Sequence, residues 1–138
     1  MKNYKFKNLK LGQKDFFRVK INNKLLRKFI NLSGDRSEIH SNKNFAKKYG
    51  FKDKVVHGML LGALYSRFVG LYLPGKFSLL ISIYINFIKP VYLNDTIHVK
   101  GKIIHLNKSY KIATVKIEAH NKSKSKISTA KAMVKLNE

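Results

Sequence analysis

Residues 33–40 read SGDRSEIH and bring two carboxylates, Asp35 and Glu38, beside the imidazole of His40. The chain has only seven Asp and Glu in 138 residues, so this crowding invites a chemical reading. Histidines ordinarily titrate near neutral pH and aspartates are ordinarily ionised there, so Asp35 and His40 together can take a proton from water and hand one on. A second short stretch, His57-Gly58, stands where a long apolar run begins. Free backbone N–H groups at a helix start can hold developing negative charge, and Gly58 would let a carbonyl oxygen come close to them. His57 would cap that helix. Spacing alone leaves a plainer alternative open, in which Asp35 and His40 share a surface hydrogen bond and Glu38 is solvated.

Composition narrows the chemistry. With no Cys, the chain has no disulfide, thiolate catalysis or sulfur-built zinc site, and its five His form no i, i+4 pair with a nearby acid. Neither a metal nor another cofactor is expected. The formal charge of +22 rests on 29 Lys and Arg, only four of them Arg and the rest scattered along the chain. Base readout and stacking favour Arg, so nucleic-acid binding is not expected; abundant Lys, Asn and Ile suit an AT-rich coding bias. Such charge would still steer an acidic carrier protein or a phosphate-bearing cofactor towards the chain. No apolar run of signal-peptide length opens the sequence, which predicts a cytoplasmic protein, and 138 residues suffice for one domain over 1–138.

The elements that must hold these residues follow from periodicity. Phe16 to Ile21 reads as a short strand. Asn22 or Asn23 caps a helix whose Leu25, Leu26, Phe29, Ile30 and Leu32 lie at helical spacing and whose end is marked by Gly34. The octet then falls in a loop, followed by a helical turn through NKNFAKKYG. Residues 57–73 are apolar on nearly every face, which predicts a buried helix; with Gly58, Gly62, Ser66 and Gly70 four apart, one face invites close approach by a sheet backbone or a flat ligand. The run is too short and too interrupted to span a membrane.

Beyond Pro74-Gly75 the period changes. Phe77 to Phe87 alternates as a long strand with one wet face, and 96–106, 110–120 and 127–136 read as three more, with Gly101 suggesting a bulge. Four long antiparallel strands and one apolar helix bury one another only if the sheet curls around the helix, an α+β hot-dog arrangement. Its open edges predict a homodimer.

The run from Phe29 to Gly75 resembles the MaoC-like, (R)-specific enoyl-CoA hydratase family of hot-dog proteins, whose motif D-x-N-P-[I/L]-H is followed by HGM and later LPG. NFIKPVYLNDTIHV is similar to a further block of that family. The resemblance implies a hydro-lyase that interconverts a 2-enoyl thioester and its (3R)-hydroxyacyl form, carried on coenzyme A or acyl carrier protein. It implies Asp35 and His40 as the catalytic pair, Gly58 N–H as donor to the thioester carbonyl, and Ser66 as a hydroxyl in the same pocket. The chain departs from the motif at Ser37-Glu38, where the family has Asn-Pro. Ser37 can still hold the loop through its hydroxyl, whereas an added carboxylate at Glu38 should favour protonated neighbours and so raise the Asp35 carboxyl. A hot-dog thioesterase and a noncatalytic acyl-thioester binder are the rival readings.

Overall fold

The computed structural model describes residues 1–138. Strand β1 (Lys14–Lys20) leads into helix α1 (Asn23–Ser33), then two short helices, α2 (Glu38–Ser41) and α3 (Lys43–Lys48). The long helix α4 (Gly58–Leu71) follows, and strands β2 (Ser78–Phe87), β3 (Thr96–Asn107), β4 (Ile112–His120) and β5 (Lys126–Leu136) complete the chain. The five strands form one antiparallel sheet in the order β1-β3-β4-β5-β2. This curled sheet around a buried helix is the hot-dog fold.

Local chemistry explains the frame around the octet. The Asn22 side chain accepts from the Leu25 N–H at 2.9 Å, capping α1 as its sequence predicts. Gly34 closes the same helix with φ 71°, a left-handed conformation that glycine adopts without penalty. The chain then turns back, so the octet leaves α1 at a fixed point. It is not all loop, however. Glu38 to Ser41 winds into α2, because the Ser41 hydroxyl returns to the carbonyls of Ser37 and Arg36 at 3.2 Å each.

Helix α4 is the centre of the core. Leu60, Leu61, Leu64, Tyr65, Phe68 and Val69 are buried against Val99, Ile103, Val115, Ile117, Ala130 and Ala132 from the sheet. The helix is buried as its sequence predicts, and in the single chain Met59, Ser66 and Arg67 face out. The small-residue face is met differently than expected. A Cβ at Gly58 would stand 3.1 Å from the Phe87 ring and one at Gly62 would stand 3.3 Å from Ile85, so side chains of β2, not sheet backbone, press there.

Two further strand expectations change. Gly101 keeps β3 in regular register, and the shift lies between Ile103 and His105. Gly101 is instead a seat for Phe68, whose ring comes within 2.5 Å of where a Cβ would be. In β2, a register shift between Leu80 and Ser82 flips the alternation, so Leu80, Ile83 and Ile85 turn inward while Leu79, Ile81 and Tyr84 are exposed.

Candidate active site

Three elements bring the polar residues together. Asp35 sits in the α1–α2 loop, His40 on α2, and His57 at the N-cap of α4. The Asp35 carboxylate lies 3.9 Å from His40 Nε2 and 3.8 Å from His57 Nε2. The two imidazoles stack with centroids 3.8 Å apart. The Phe29 ring, from α1, closes on His57 at 5.2 Å. Asp35 is open to solvent, His40 is half-buried and His57 is buried, so the cluster forms a graded path from surface to interior.

Backbone carbonyls fix both rings. His40 Nδ1 lies 2.6 Å from the Val55 carbonyl, and since a carbonyl only accepts, Nδ1 carries a proton and Nε2 is the nitrogen turned towards Asp35. His57 Nε2–H donates to the carbonyl of Asp35 at 2.9 Å. The His57 side chain makes no cap bond to α4, so its ring serves Asp35, while its Nδ1 is buried without a partner.

Ser37 joins the cluster through the carboxylate. Its N–H donates to Asp35 Oδ1 at 3.1 Å and its hydroxyl donates to the same oxygen. The Ser37 hydroxyl, then its N–H, hold the Asp35 carboxyl below the ordinary value of 3.8, with smaller help from His57 and His40. The expectation that Glu38 would raise it is therefore corrected. Glu38 is exposed and accepts from Asn42 Nδ2 at 3.4 Å, so its charge is spent elsewhere.

Gly58, the first residue of α4, directly follows His57, and N–H groups in the first turn of a helix have no intrahelical partner. Ser66 lies two turns further along α4 and is exposed in the single chain, making no side-chain hydrogen bond with the cluster. Asp35, His40 and His57 also have ligand atoms within 4.8 Å of one another, so a cation could be held there. It would have to displace the His57 bond to the Asp35 carbonyl, which occupies Nε2.

Two contributors escape sequence reading. The Val55 carbonyl that orients His40 is a main-chain group and leaves no mark in residue type. Phe29 reads only as an apolar position of α1, because the pattern that buries it says nothing about its neighbour.

As an arrangement, a carboxylate and an imidazole nitrogen face each other 3.9 Å apart, where both can reach one water molecule held beside them. A helix start stands beside them. Such a set can move a proton from water to a neighbouring atom and hold an oxyanion.

The MaoC like domain family matches residues 8–127. An (R)-specific enoyl-CoA hydratase of Aeromonas caviae is 30% identical over 129 residues, covering 94% of this chain and 96% of that protein. A mitochondrial 3-hydroxyacyl-[acyl-carrier-protein] dehydratase of Arabidopsis thaliana is 31% identical over 72 residues, 52% of this chain and 42% of that one. Among solved structures, unliganded R-hydratase PhaJ1 of Pseudomonas aeruginosa superposes with a TM-score of 0.88 at 26% identity, over 96% of this chain and 85% of that one. With the family matched over most of its length, and with the fold and Asp-His arrangement above, the chain belongs to the MaoC-like domain family.

Proposed function

We propose that the chain is an (R)-specific 2-enoyl-thioester hydratase, equally a 3-hydroxyacyl-thioester dehydratase, working on acyl-CoA or acyl-carrier-protein substrates. The observation that carries this reading is the facing pair, Asp35 carboxylate and His40 Nε2, 3.9 Å apart and oriented by Ser37 and Val55. In hydration, water held beside the two gives up a proton to the pair and its oxygen bonds to C3 of the enoyl group. The double-bond electrons move towards the thioester oxygen, which Gly58 N–H receives, and the pair returns a proton to C2. Water thus adds across the double bond with no electrons gained or lost, so no redox cofactor enters the balance. Dehydration is the same path reversed. Ser66 and the outward face of α4 line the way for the acyl chain in this reading.

The functional unit is a homodimer joined at β2. That edge exposes Leu79, Ile81, Tyr84 and Phe87, whereas the opposite edge strand, β1, carries Lys14, Arg18 and Lys20. Charged edges resist pairing and apolar ones invite it. Light scattering at micromolar concentration should give twice 16.0 kDa, and a monomer alone would remove the dimer. No helix is long and apolar enough to cross a membrane, and we place the enzyme in the cytoplasm.

The activity is tested by loss of enoyl absorbance with crotonyl-CoA, then with longer and carrier-linked chains. Turnover that falls by about two orders of magnitude in both Asp35→Asn and His40→Ala, with folding intact, supports the assignment. Release of free thiol in place of hydration would point to a thioesterase, and binding without turnover to a noncatalytic acyl-thioester protein.

A further inference from the structure

The outer face of the sheet, turned away from α4, carries a row of lysines that the proposed chemistry does not use. Lys14 stands opposite Lys102, Lys102 opposite Lys116, and Lys116 opposite Lys131, so four neighbouring strands each present a lysine at one level. All four are exposed. Like charges directly opposite one another on adjacent strands are destabilising, and here three such pairs stand in line. The next level holds Phe16, Lys100, Glu118 and Thr129, and the one after it Arg18, His98, His120 and Lys126. Glu118 is the one carboxylate in these three levels, and it is already engaged by Lys126 at 3.1 Å, Lys116 at 3.4 Å and Lys100 at 3.6 Å. A groove of about 750 Å³ runs through this face.

We propose that this face docks an acidic helix of the carrier protein that delivers the thioester. The choice of carrier rests on the hydratase reading; the basic face itself does not. Adjacent strands lie about 4.8 Å apart, so the lysine row spans roughly 14 Å in even steps. Acidic residues at i, i+3 and i+4 stand about 5–6 Å apart on a helix, so some three turns laid across the strands would meet the whole row. A second copy of this chain, at +22, would be repelled here. Nucleic acid fits less well, because all four cations of the row are Lys, whereas base readout and bidentate phosphate contacts favour Arg. On the chain's own path, a 2.8 Å bond from Val56 N–H to the Val91 carbonyl ties the residue before His57 to the segment that leads into β3.

The test uses the full chain and apo acyl carrier protein, with association followed by fluorescence anisotropy. Binding is expected at low salt, weakening steeply as ionic strength rises, and falling about tenfold or more in Lys102→Glu/Lys116→Glu. That variant turns the pairs with Lys14 and Lys131 from like to opposite charge and leaves one like-charge pair, between positions 102 and 116, so it should fold; Lys102→Gln/Lys116→Gln should show a smaller loss in the same direction. Lys47→Glu/Lys48→Glu, on α3, is the charge-matched control and should bind almost as well as the parent. Hydration of crotonyl-CoA should be unchanged in the face variants, which separates failure of docking from failure of the activity. No association with carrier protein, equal loss in the α3 control, or lysine-dependent binding of duplex DNA in its place would each overturn the proposal.

Discussion

His57 reaches back twenty-two residues to donate its Nε2–H to the carbonyl oxygen of Asp35 at 2.9 Å. The bond ties the start of α4 to the loop that follows α1, and the same ring stacks on His40 at 3.8 Å. One buried side chain therefore sets the relative position of both members of the proposed pair. It acts as a positioning residue and does not itself face the solvent-open side of Asp35.

Replacing His57 with Ala removes the tether and leaves the Asp35 carbonyl without its donor. Displacements of about 1 Å at a reacting group can cost on the order of 100-fold, so kcat should fall between about tenfold and 100-fold. KM should change far less, because the substrate-facing groups remain. His57→Gln, which keeps an N–H donor, should recover part of kcat. Equal loss in both variants, or a change confined to KM, would count against positioning.

Ser37 controls the charge of Asp35. Its hydroxyl and N–H hold the Asp35 carboxyl below the ordinary value of 3.8, so the carboxylate is already fully ionised at neutral pH and is lost only as pH falls through that lowered value. Activity that needs the ionised form should therefore show no acid limb from Asp35 between pH 5 and 7. In Ser37→Ala the carboxyl should move up towards 3.8, as read by NMR titration of the side chain, and the acid limb should rise with it. A carboxyl that stays put would show that the histidines, and not Ser37, set its charge.

Gly101 and Phe68 give a test of the core. A Cβ at 101 would lie 2.5 Å and 2.6 Å from two atoms of the Phe68 ring, inside any real contact distance. Gly101→Ala should destabilise by about 1–3 kcal/mol, the usual range for overpacking, measured by urea unfolding. Combining it with Phe68→Leu should recover much of that loss. Additive losses in the double variant would mean the strain is taken up elsewhere.

These particulars show where sequence reading reaches and where it stops. Asn22, Gly34 and the apolar spacing of α1 are local signals, and the helix follows them closely. Asp35 and His40 stand out in the sequence because scarce residue types cluster there, and the fold sets their side chains 3.9 Å apart. The inward turn of Leu80, the seat of Phe68 on Gly101 and the orientation of His40 by Val55 depend on chain segments far apart in sequence. A register shift of one residue in β2 reverses which side chains face the core, and no periodicity in a single strand reveals it. The lysine row is a product of register too: four lysines that look scattered along the chain become neighbours only when β1, β3, β4 and β5 are paired.

Tyr65 carries the last prediction. It is fully buried on α4, and its hydroxyl lies near the Ser128 hydroxyl and the Ala119 backbone without reaching hydrogen-bond geometry with either. Burial pushes its ionisation up to about 12 from an ordinary value of 10.0. A raised value means the folded state keeps its proton while the unfolded chain loses it, so the corresponding stability is present below pH 10.0 and is lost as pH rises from there to about 12. Tyr65→Phe removes the titrating group together with an unpartnered polar atom whose burial ordinarily costs about 1–3 kcal/mol. The variant should be at least as stable as the parent at pH 7, and its advantage should widen above pH 10, read as a flatter fall of Tm with pH. A variant clearly less stable at pH 7 would mean the hydroxyl has a partner, and an unchanged alkaline slope would mean another group governs unfolding there.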